Sequence, residues 1–69
     1  MTLTEAREHS RNPQAFRSND RWVVVDTLTG EPIEGHPSEG LARQAAGYCN
    51  DHETLHGRPR AYSIEELTP

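Results

Sequence analysis

A small α+β domain of β-β-α-β order is what this chain predicts, and three observations carry the prediction. Trp22-Val23-Val24-Val25-Asp26 is a run of aromatic and β-branched residues, followed by a Thr27-Leu28-Thr29-Gly30 turn and a shorter strand, Glu31-Pro32-Ile33-Glu34. Ser38 then opens a stretch with helical spacing of its apolar residues. Beyond Gly57 and Pro59, an alternating segment over 60–67 reads as a closing strand. The expected sheet is three-stranded and largely antiparallel, with one helix on one face and a loose N-terminal arm.

The arm covers 1–20 and the β-β-α-β domain 21–69. In the arm, Thr4 is placed to cap a short helix through Glu5-Ala6-Arg7-Glu8, which Asn12-Pro13 stops. Leu3, Ala6 and Phe16 are the arm's residues worth burying, too few for an independent unit. Phe16 is the one expected to pack back on the sheet; the rest reads as a short helix or as disordered.

In the first strand Trp22 and Val24 share one face and Val23 and Val25 the other, because side chains alternate. Gly30 supplies the positive φ that a hairpin loop with a bulge requires. Ile33 is the expected inward residue of the second strand, and Pro32, which has no N–H, makes that strand an edge or a bulged one. Ser38 is the helix N-cap with Glu39 in the first turn. Leu41, Ala45, Tyr48, His52 and Leu55 form the expected inward stripe, widened by Ala42 and Cys49. Tyr62 and Ile64 face inward in the last strand. One helix covers one sheet face, so the other face is expected to stay partly open.

The chain has 69 residues, 32% of them hydrophobic, so one domain with a small core is all it can build. A single cysteine excludes an internal disulfide, and without an apolar leader or span the expected compartment is the cytoplasm. The net charge of −4 argues against bulk attraction to nucleic acid or anionic lipid. The basic residues are all arginine, a side chain suited to bidentate recognition of carboxylate or phosphate.

The run Arg21 to Asp26, the Thr29-Gly30-Glu31 turn and the Ser38-Glu39 helix start with alanines up to Asn50 resemble a group of short phage and mobile-element proteins. The resemblance implies the β-β-α-β fold. By analogy with small acidic inhibitors of host defence, among them anti-CRISPR proteins, it also implies an inhibitor.

One string imitates a zinc-protease motif. His52-Glu53-Thr54-Leu55-His56 matches H-E-x-x-H, in which two imidazoles four apart hold Zn²⁺ and the glutamate acts as base. Cys49 falls on the same helix side and would add a thiolate. Against this, Pro59 and Tyr62 occupy the region where the longer pattern places a glycine and a third histidine, and the chain is short for a substrate cleft. The expectation is therefore no metal and no cofactor, with His52, His56 and Cys49 as the alternative ligand set and a metallohydrolase using Glu53 as its catalytic form.

The leading expectation is a non-enzymatic binding protein that occludes a partner protein, such as a CRISPR effector or another nucleic-acid-binding complex with a basic surface. Trp22, Glu31, Glu34 and Arg43 are the expected contacts, with Arg17 and Arg21 of the arm as a second patch. Apolar residues on both faces of the first strand also suit a homodimer. Direct nucleic-acid binding through the arginine-bearing arm is the weaker alternative, since Glu5, Glu8 and Asp20 interrupt its charge.

Overall fold

The computed structural model describes residues 1–55 and 61–69, the side chains of 52–55 excepted. Helix α1 (Leu3–His9) and a 3-10 turn (Pro13–Ala15) precede strand β1 (Trp22–Asp26), strand β2 (Pro32–His36), helix α2 (Glu39–Leu55) and strand β3 (Tyr62–Glu66). The strand order is β2-β1-β3, and β1 pairs antiparallel with both neighbours. The α+β class and the β-β-α-β order are those the residues predict.

The hairpin follows from its turn chemistry. Gly30 has φ +76°, which an L side chain adopts only with strain. The Asp26 carboxylate accepts the Leu28 N–H at 2.9 Å, and its carbonyl accepts the Gly30 N–H at 2.7 Å. On β2, Glu34 stands opposite Val24 and Pro32 opposite Val25, so Ile33 is the extra residue of a bulge. The edge position and the bulge both answer the missing proline N–H. The bulge also exchanges the inward residue: Pro32 is fully buried, whereas Ile33, expected to point inward, is only half-buried.

The sheet is covered on both faces. Val24 is buried on the α2 side together with Ala42 and Ala46. Val23 points the other way, into a cluster with Ala6, Phe16 and Leu67, against which Met1, Leu3, Ala15 and Val25 pack. The arm thus supplies the second layer. The face expected to stay partly open is closed by side chains of α1 and of the segment after it, because a strand apolar on both sides exposes a valine row unless something covers it. The cap of α1 is Thr2 rather than Thr4: the Thr2 hydroxyl accepts the Glu5 N–H at 3.2 Å, and Glu5 accepts the Thr2 N–H at 3.0 Å. Gly35 lets the arm approach, since a Cβ there would collide with the Asp20 carboxylate.

The β3 edge is closed from within. The Asn50 amide donates to the Tyr62 carbonyl at 3.2 Å and accepts the Tyr62 N–H at 2.7 Å, taking the place of a neighbouring strand. At the other end of β3, Thr2 and Thr68 form a parallel bridge, and the Thr68 N–H bonds the Met1 carbonyl at 2.9 Å.

Two measurements follow from these local devices. Asn50→Ala leaves both Tyr62 groups without their side-chain partner; it lowers stability by about 1–3 kcal/mol in urea denaturation and speeds exchange of the Tyr62 amide. An unchanged exchange rate contradicts the edge closure. The Thr2 backbone N–H, and then its hydroxyl, hold the Glu5 carboxyl below the usual glutamate range. A depressed native value means that Glu5 stabilises the fold above the unfolded-state value, and that this contribution disappears as pH falls through the native one. An NMR titration of the Glu5 carboxyl therefore gives a midpoint below that of an exposed glutamate, and Glu5→Gln removes that part of the acid dependence.

Candidate functional site

Trp22, Glu34 and His36 lie on the α2 side of the sheet, since Glu34 is opposite Val24 and His36 opposite Trp22. Trp22 is half-buried there. The other expected contacts do not join them. Glu31 is tied to the arm through Arg11, with Arg11 Nε 3.1 Å from its carboxylate. Arg43 is held along α2 by Glu39, 2.6 Å away. Glu34 itself pairs with His36, Nε2 to Oε2 at 2.8 Å. Arg17 and Arg21 are exposed in the segment joining the arm to β1. Glu31, Glu34 and Glu39 thus each have an internal cationic or imidazole partner.

His52, Glu53 and His56 of the zinc-like string lie outside the residues whose side chains are described, as do Leu55 of the expected stripe and Gly57 to Arg60. Cys49 is half-buried on α2. Among the described residues, no group of three His, Cys, Asp or Glu side chains is placed to hold a metal ion. No helix among them is long and apolar enough to cross a membrane. A cleft of about 430 Å³ lies between Thr2–Thr4, Ser18–Arg21 and Leu67–Pro69. The Asp20 carboxylate among its lining residues already accepts the Arg17 N–H at 2.7 Å.

The site the sequence reading missed is on α2. Its inward row is Ala42 and Ala46, both buried, flanked by half-buried Ala45, Cys49 and Asn50. Of the expected inward stripe, Leu41 is 47% exposed and Tyr48 75% exposed, whereas Ala45 and the arc-widening Ala42 and Cys49 do lie on the inward side. Small alanines let the helix lie close to the sheet, and the Asn50 fork on Tyr62 fixes its rotation. Leu41 and Tyr48 are seven residues apart and therefore lie on one side of the helix, with Ala45 between them. Leu28 at the hairpin tip is exposed as well, at 65%.

Leu41 and Tyr48 are thus presented, exposed, on a helix whose opposite face is locked to a sheet. Compared with protein family models, curated proteins and solved structures, the chain finds no match.

Proposed function

We propose that this chain is a non-enzymatic protein-binding module that engages a partner protein through the outer flank of α2. The observation that carries the reading is the exposure of Tyr48 and Leu41 on the same helix side. A chain with 32% hydrophobic residues has few large apolar side chains, and leaving two of them outside a small core forgoes burial worth about 1.5–3 kcal/mol each. Tyrosine is also among the residues that dominate binding energy at interfaces. The helix is a rigid support, being anchored to β1 by Ala42 and Ala46 and to β3 by Asn50.

This reading moves the contact surface from the sheet to the helix. Trp22 and Glu34 border it; Glu31 and Arg43 contribute to the fold through their own ion pairs. Occlusion of a partner's surface, the mode implied by the resemblance to phage and mobile-element proteins, requires no catalytic group.

Affinity capture from the native host, comparing wild-type protein with Tyr48→Ala and Leu41→Ser, tests the proposal. The expected result is a set of proteins retained by wild type and lost, with affinity reduced about tenfold or more, by either variant. Circular dichroism and urea denaturation of both variants should match wild type closely, since neither side chain is in the core. A partner captured equally well by both variants contradicts the helix flank as the contact surface.

A further inference from the structure

The placement of α2 leaves a corner on the sheet. Asn50 is bonded to Tyr62, so that side of the helix lies over β3. With about 100° per residue, Ala42 and Ala46 point down, and Ala45, Leu41 and Tyr48 fall on the side away from Asn50, toward β2. The α2-facing side chains of β2 are Glu34 and His36, and both are partly exposed, Glu34 by 33% and His36 by 21%. An apolar helix flank therefore meets an acidic edge strand. Asp51, exposed and one turn beyond Tyr48, adds a second acid. Among the described residues of α2 and β2, Arg43 is the only arginine; it falls on the β3 side of the helix and is neutralised by Glu39.

Resting on the protein-binding reading above, we propose that this corner receives a segment of the partner that is both apolar and basic. Its apolar side chain lies on Leu41 and Tyr48, and a lysine or arginine one or two residues away meets the Glu34 carboxylate. His36 steadies that carboxylate through Nε2 at 2.8 Å, which limits the side-chain freedom lost on binding. Charge complementarity decides the chemistry of the occupant: an acidic segment would be repelled by Glu34 and Asp51, and among the described residues of α2 and β2 no arginine lies on this side to offset them.

The test is an amide NMR titration with two synthetic peptides of equal length. One alternates leucine or phenylalanine with lysine or arginine; the other carries glutamate at each basic position. The basic peptide is expected to shift the amides of Glu34, Leu41, Ala45 and Tyr48 in a saturable way, more weakly at high salt, and the acidic peptide to bind about tenfold or more weakly. Glu34→Gln should reduce affinity for the basic peptide several-fold without altering the fold. Equal binding of both peptides at this corner overturns the charge assignment and leaves the binding surface standing. Binding elsewhere, or no binding of either peptide, overturns the inference; loss of native capture by Tyr48→Ala then still reports separately on the protein-binding reading.

Discussion

Strand β1 is buried on both faces, and the rest of the structure answers to that constraint. Val23 and Val24 are adjacent, point in opposite directions, and are both fully inaccessible. A three-stranded sheet with such a central strand needs two covering layers, and a chain of this length has little from which to build them. Helix α2 forms one. The other comes from the arm, whose Ala6 and Phe16 complete the cluster on Val23 and Leu67. The arm is therefore core material.

That division of labour decides which residues are left outside. The layer over Val24 is made with alanines, so the helix sits close and its larger apolar side chains are displaced to the flank. The outer strands are managed in three ways: Pro32 and a bulge on β2, the Asn50 amide on β3, and the Thr2–Thr68 bridge at the far end of β3. With the second sheet face covered and the edges occupied at these points, the exposed large apolar side chains among the described residues fall on α2 and at the hairpin tip. The proposed partner surface is what remains once the core has been assembled.

Much of this was legible in the sequence, and the failures have physical causes. The hairpin, its glycine turn, the proline-bearing edge strand and the Ser38 cap all depend on short-range chemistry, and the Ser38 hydroxyl accepts the Leu41 N–H as expected. The rotation of α2 was not legible. Rows starting at Leu41 and at Ala42 share the same 3.6-residue period, and hydrophobicity favours the larger side chains, whereas close packing on a sheet favours the smaller. The arm's part in the core was not legible because its apolar residues look sparse until Val23 is seen to need them. Asn50 carried no local signal, since its partner Tyr62 is twelve residues away. Of the expected contacts, Trp22 and Glu34 fall beside the candidate surface, whereas Glu31 and Arg43 are engaged within the fold. The charge pattern of a sequence cannot distinguish an acid offered to a partner from one satisfied by the chain itself.

The arm completes the core, and the proposed partner surface on α2 depends on that. Urea denaturation of Phe16→Ala tests it most directly. Phe16 is 4% exposed, and removing a side chain so buried should lower stability by about 3–5 kcal/mol, enough to unfold much of a marginal domain. A loss of less than about 0.5 kcal/mol, the range of a surface substitution, would show that the arm lies outside the cooperative core and would return the open sheet face to consideration.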